Sequence, residues 1–218
     1  MAGKRAGLVV VAAVAGGLLL SACGGQAGGR PGAGAAAGAH APAGEGQRAA
    51  GERGGPGGLT ALDSGASNLN TAFVPGEFVS AVESAGRTCD LASAPLLAAQ
   101  LEQESDWDPD AQSPIGAQGL AQFRPEIWAE CGGDADGDGV NSPFDPQDAI
   151  PAQARMMCDL FTRLRTTRLS GNPIDFALWS YNAGLQATID AGGTAPTEEA
   201  AHYARRIQKE LLPKYTLI

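Results

Sequence analysis

Residues 150–164 read Ile-Pro-Ala-Gln-Ala-Arg-Met-Met-Cys-Asp-Leu-Phe-Thr-Arg-Leu. Ile150, Ala154, Met157, Phe161 and Leu164 recur at alternating spacings of four and three, the period that lines one face of an α-helix. Met156 and Met157 read as core filler, since an unbranched thioether adapts to irregular gaps. Working outward, the same period recurs. Phe78, Val79 and Val82 predict a short helix ending near Gly86. Ser93 is placed to N-cap a helix with Pro95 in its first turn and Leu96, Leu97 and Leu101 along it. Pro125 opens a short turn carrying Ile127 and Trp128. Asp175 to Tyr181 continues as helix, and Thr197 caps a last one with Tyr203, Ile207 and Leu211 on one face. No alternating strand pattern appears, so the expected fold is mainly α, a helical domain with long loops rich in Gly, Asp and Pro.

Three segments place polar residues where a helix would otherwise finish. Glu102-Gln103-Glu104-Ser105 ends the helix that Ser93 begins. A carboxylate at the negative end of a helix dipole is disfavoured in its charged form, and apolar neighbours push the same way. That is a route to a carboxylic acid still protonated near neutral pH, as general acid catalysis requires. Ser113-Pro-Ile-Gly-Ala-Gln-Gly119-Leu-Ala-Gln122-Phe123 reads as a tight turn leading into a buried element, with one amide facing a cleft. Ser180-Tyr181-Asn182-Ala183-Gly184 ends a helix at a Gly C-cap, with an aromatic ring and an amide beside it. Rings that stack and amides that pair with hydroxyls are what a sugar-binding groove needs.

On these residues the domain resembles the soluble lytic transglycosylase family, whose fold is that of goose-type lysozyme. The family pattern is a Glu-Ser pair, a Ser, a Gly-Leu-Met-Gln run, an Ala-Tyr-Asn-Ala-Gly run and a Glu-Thr-x-x-Tyr signature. Here these read Glu104-Ser105, Ser113, Gly119-Leu120-Ala121-Gln122, Ser180-Tyr181-Asn182-Ala183-Gly184 and Glu199-Ala200-Ala201-His202-Tyr203, in order between Leu96 and Leu211. Two departures stand out. Ala121 replaces a Met, removing a bulky groove wall, and Ala200 replaces a Thr hydroxyl. The resemblance implies Glu104 as the catalytic residue, with Ser105, Ser113, Gln122, Tyr181, Asn182 and Tyr203 binding substrate. It implies cleavage of the N-acetylmuramic acid–N-acetylglucosamine bond of peptidoglycan to a 1,6-anhydro product, without water and without a catalytic cofactor. A lysozyme-like hydrolysis needs a second carboxylate at defined separation, for which Asp106, Asp108 and Asp110 are the candidates. A non-catalytic wall-binding module is the alternative of another class, and chitin is a related substrate. Trp107 and Phe123 could wall the groove or belong to the core.

Residues 134–145 fit an EF-hand loop. Asp134, Asp136 and Asp138 fall at loop positions one, three and five, followed by Gly139, the Val140 carbonyl and the closing Asp145. Structural Ca2+ is the expectation; a run of Asx-turns is the alternative. Cys89, Cys131 and Cys158 lie in the same region, and an exported domain favours a disulfide. Cys89–Cys158 would tie the start of the Ser93 helix to the 150–164 helix, with Cys131–Cys158 as the other pairing.

The N-terminus reads differently. Lys4 and Arg5 precede an apolar run of 13 residues, Leu8 to Leu20, too short to span a bilayer and right for an export signal. Leu20-Ser21-Ala22-Cys23 resembles a lipobox, implying a signal peptide over 1–22 and a lipid anchor on Cys23 at the outer face of the cytoplasmic membrane. Residues 23–68, mostly Gly, Ala and Pro, read as a flexible tether to a catalytic domain over 69–218. Composition trims the remaining options. A net charge of −9 argues against nucleic acid, whose phosphates need a Lys/Arg surface. Only two histidines occur, His40 in the tether and His202 in the domain, so a multi-His metal site is excluded. A monomer is expected.

Overall fold

The computed structural model describes residues 67–218; the export signal, Cys23 and nearly all of the tether lie outside the described residues. Eight α-helices follow in order: α1 (Val79–Ala85), α2 (Ala94–Ser105), α3 (Pro125–Cys131), α4 (Pro146–Leu164), α5 (Pro173–Ala183), α6 (Leu185–Asp190), α7 (Glu198–Arg206) and α8 (Leu212–Tyr215). A π-helical turn, Ile207–Leu211, joins α7 to α8 without a break. Among the described residues there is no strand, only isolated bridges such as Gln118 with Phe123. The fold is mainly α, as the periodicity predicts.

α2 is the axis of the domain. Every residue from Ala94 to Leu101 is buried, so this helix has no polar face to give to water. That explains why the sequence shows it only as a dense apolar run. It packs against α1, the π turn and α8, while α4 packs on α1 and α5, and α5 on α7. Ser93 is the N-cap residue in extended conformation, although its side chain makes no capping bond; Pro95 supplies a preset φ in the first turn. Burial of Leu96, Leu97 and Leu101 each contributes on the order of 2 kcal/mol. α4 holds Ile150, Ala154, Met157, Phe161 and Leu164 buried along its predicted face, and Met156 is buried beside them. Thr197 Oγ1 accepts from the Ala200 N–H at 3.0 Å and so caps α7 as expected.

The Cys89–Cys158 disulfide is formed, 69 residues apart in sequence. It ties the turn before α2 to the middle of α4. Cys158 is taken by Cys89, so the alternative pairing of Cys158 with Cys131 does not form.

A second lock sits where α2 ends. Asp106 and Trp107 both adopt positive φ, 54° and 66°, a conformation that costs a side-chain-bearing residue energy. Trp107 is held there by two aromatic neighbours, Phe78 and Tyr215. Its ring stacks on Phe78 and meets Tyr215 edge-on, and its Nε1 donates to Tyr215 Oη at 2.8 Å. Tyr215 Oη in turn donates to Glu102, which also receives Lys214 Nζ at 2.5 Å. Trp107 thus anchors the C-terminal helix to α2, and Phe123, buried against Trp128, is core as well.

Candidate active site

Glu104 lies one residue before the end of α2, and the side chain is only 8% exposed. Burial pushes its carboxyl from the ordinary 4.5 up to about 7, with a hydrogen bond from Tyr203 pulling the other way. Tyr203 Oη donates to Glu104 Oε1 at 2.6 Å. Two points of the chain 99 residues apart therefore meet at one carboxyl oxygen. Near neutrality such a group is half protonated, which suits a residue that must first give a proton and then take one.

Tyr181, on α5, is the second phenol near Glu104. Its hydroxyl donates to the Ala121 carbonyl at 2.8 Å, and burial with the nearby Glu104 charge keeps its pKa well above the ordinary value. Tyr181 thereby pins the Gly119–Gln122 run beside the site. Ala121 itself is fully buried, so at this position the side chain faces the interior. Among the described residues the carboxyl of Glu104 is perturbed by burial and Tyr203, and no other carboxylate contributes. Asp106, Asp108 and Asp110 all point to solvent, and Asp108 Oδ1 caps the Asp110 N–H.

The loop over residues 111–123 is built from its own polar groups. Ser113 Oγ accepts from the Ala117 N–H at 2.9 Å and so closes the turn. Gln122 takes φ 50°, and its Nε2 donates to the carbonyls of Gly119 and Ala111. That leaves Oε1 as the part of the Gln122 amide available to a ligand. Gly119 has φ 70°, and a Cβ there would lie 1.8 Å from the Pro143 carbonyl oxygen. Only glycine permits that close approach. Ser105 is buried and donates to the Leu101 carbonyl at 3.3 Å within its own helix. Asn182 is half-buried on α5, next to Tyr181. Tyr203 thus bonds Glu104 directly, Tyr181 lies close enough to feel its charge, and Gln122 follows the Ala121 that Tyr181 holds, while the Ser105 and Ser113 hydroxyls bond backbone groups of their own segments.

Three residues that hold the site or the segments around it together were not singled out from sequence. Gln100, fully buried on α2 one turn before Glu104, donates from Nε2 to Tyr203 Oη at 3.0 Å. Its signal was a lone amide on an otherwise apolar helix. Asp148, in the first turn of α4, is fully buried and accepts from the Ala135 N–H at 2.7 Å and the Ser142 N–H at 3.0 Å. It looks like an ordinary acid at a helix N-terminus, but it is the internal staple of the 134–145 loop. Lys214 completes the Glu102 anchor described above.

In that loop the side chains of Asp134, Asp136 and Asp138 offer oxygens within 4.8 Å of one another, all exposed. Asp134 also accepts from the N–H groups of Gly137 and Gly139. The Val140 N–H is taken by Asp138 Oδ1. Asp145 does not join the three: its Oδ1 accepts from the Gln147 N–H and N-caps α4. Asp136 receives the Asp138 N–H, which favours its charge, yet desolvation and the neighbouring Asp138, Asp145 and Asp148 raise its pKa overall.

The family profile described as the Transglycosylase SLT domain matches residues 88–204, from the residue before the disulfide cysteine Cys89 to the residue after Tyr203. The chain belongs to this family. Among curated proteins, a membrane-bound lytic murein transglycosylase F 2 of Alkalilimnicola ehrlichii is 38% identical over 98 residues, 45% of this chain and 20% of that protein. A membrane-bound lytic murein transglycosylase F of Shewanella halifaxensis is 33% identical over 117 residues, 54% of this chain and 23% of that protein. The chain thus spans about a fifth of the length of these relatives. Among solved structures, an inactive mutant of lytic transglycosylase Slt from Pseudomonas aeruginosa aligns with a TM-score of 0.44 and 20% identity, over 60% of this chain and 22% of that one.

Proposed function

We propose that this chain is a peptidoglycan lytic transglycosylase in which Glu104 alone acts as acid and then base. The observation that carries the reading is the buried Glu104 carboxyl at about 7, held by one phenol, with no second carboxylate acting on it among the described residues. Glu104 gives its proton to the oxygen bridging N-acetylmuramic acid and N-acetylglucosamine as that bond breaks at the muramic anomeric carbon. The carboxylate then removes the proton of the muramic 6-hydroxyl, whose oxygen bonds to the same carbon. One proton leaves Glu104 and one returns, and no water enters. Tyr203 stabilises the carboxylate between the two halves, and Tyr181 keeps the loop bearing Gln122 against it. Gln122 Oε1 and Asn182 are the groups we assign to sugar hydroxyls. The test is product mass from purified peptidoglycan, comparing wild type with Glu104→Gln. Products one water lighter than reducing ends, absent with the variant, are expected; intact glycan with both proteins would overturn the reading.

We further propose that the chain works as a monomer, exported and held by lipid on Cys23. No helix among the described residues is long and apolar enough to cross a membrane. A lipid thioether on Cys23 excludes that sulfur from any disulfide, so the mass of the mature N-terminal peptide, before and after reduction, decides the point. Finally, the three clustered carboxylates of the 134–145 loop suit a weak structural Ca2+, with Asp134, Asp136 and Asp138 as ligands. The loop leads through Pro143 to Gly119, so a cation there would steady the segment beside Glu104. Calorimetric titration with Ca2+ in millimolar amounts, against Asp136→Asn, tests this; no heat of binding in wild type would refute it.

A further inference from the structure

Gln100 is fully buried, yet its Oε1 has no hydrogen-bond partner. A leucine would fill the same space without leaving a polar atom stranded, and a stranded acceptor is destabilising. What the amide supplies is a donor: Nε2 lies 3.0 Å from Tyr203 Oη. The phenol has one hydrogen. An N–H arriving from Gln100 occupies an oxygen lone pair and leaves that hydrogen free to point at Glu104 Oε1, 2.6 Å away. We propose that Gln100 is a positioning residue that orients the Tyr203 hydroxyl toward Glu104, so that Oε1 always accepts and the acid proton resides on Oε2. The opposite setting of the amide would turn its oxygen toward Tyr203 and draw the phenol hydrogen away from the carboxylate.

The relay runs Gln100 to Tyr203 to Glu104, from α2 to α7 and back, with Gln100 and Glu104 one turn apart on α2. Donation into Tyr203 also polarises its O–H and strengthens the bond it makes. The titratable groups facing Glu104 are Tyr203 from α7 and Tyr181 from α5, both kept un-ionised near neutrality by burial. Glu102 on α2 is occupied separately by Lys214 and Tyr215.

The proposal rests on Glu104 being the acid/base, so the experiment uses a readout independent of turnover. Protein labelled with 13C at glutamate carboxyls is titrated by NMR, with the Glu104 signal assigned by its loss in Glu104→Gln. Wild type, Gln100→Leu, Tyr203→Phe and the double variant are compared, together with kcat and thermal midpoint; Gln100→Met replaces Gln100→Leu should the latter not fold. Gln100→Leu is expected to melt no lower than wild type while its Glu104 titration moves upward. Its kcat falls by roughly two- to ten-fold, the span of one neutral hydrogen bond. In the Tyr203→Phe background the same change should do nothing further. An unmoved Glu104 titration in Gln100→Leu, or an equal shift with and without the Tyr203 hydroxyl, overturns the proposal. Absence of lytic products in wild type would instead count against the transglycosylase reading and leave the titration result standing.

Discussion

Replacing Glu104 by glutamine should stabilise the protein, and by an amount that depends on pH. Burial raises the carboxyl from 4.5 to about 7 in the folded chain. Below about pH 4.5 the group is protonated in both folded and unfolded states and contributes no difference. Between about pH 4.5 and 7 the unfolded chain gives up this proton while the folded chain keeps it, so stability falls with rising pH and levels off above about 7, where the folded state holds a buried carboxylate. At about 1.4 kcal/mol per tenfold change in proton affinity, the full loss approaches about 3 kcal/mol. Glutamine never ionises and keeps an oxygen for the Tyr203 hydroxyl. Urea unfolding of both proteins, disulfides intact, should therefore give nearly equal stabilities near about pH 4 and a variant more stable by about 3 kcal/mol near about pH 8. In thermal terms that is about 6–12 °C for a domain of this size. Every other titrating group is common to both proteins and cancels in the difference. A gap of the same size at both pH values, or a less stable variant under alkaline conditions, would refute the reasoning.

Tyr203→Phe removes a bond to a charged oxygen, worth about 1.5–3 kcal/mol, so kcat should fall roughly 10- to 150-fold. The alkaline limb of its pH–rate profile should move upward, because the lost bond favoured the carboxylate. Asp148→Asn leaves one of two buried N–H partners poorly served, and amide exchange at Ala135 and Ser142 should accelerate while the core amides of α2 stay protected. Opening Cys89–Cys158 by replacing both cysteines with alanine frees a 69-residue closure, and should lower unfolding free energy by about 4 kcal/mol in denaturant titrations.

The helical class and the motif order were legible because hydrophobic period and polar punctuation are local properties. α4 shows its buried face in its spacing, and Glu104 shows its place at the end of α2. The contacts that make Glu104 useful were legible only as a resemblance, since Tyr203 reaches it from 99 residues away. Gln100 and Asp148 were missed for a related reason: each serves a partner on another element, and in sequence each is an ordinary polar residue in a helix. Ser105 and Ser113 show the converse, with hydroxyls in motif positions that bond backbone within their own segments. The EF-hand pattern brought Asp134, Asp136 and Asp138 together but not Asp145, because the start of α4 needed a cap.

The central claim is one carboxyl and no water. Digesting peptidoglycan in water enriched in 18O and weighing the released muropeptides tests it most directly. The account predicts 1,6-anhydro-muramyl ends without 18O from wild type and none from Glu104→Gln. Reducing ends carrying 18O would mean that water attacks the anomeric carbon, and would contradict it.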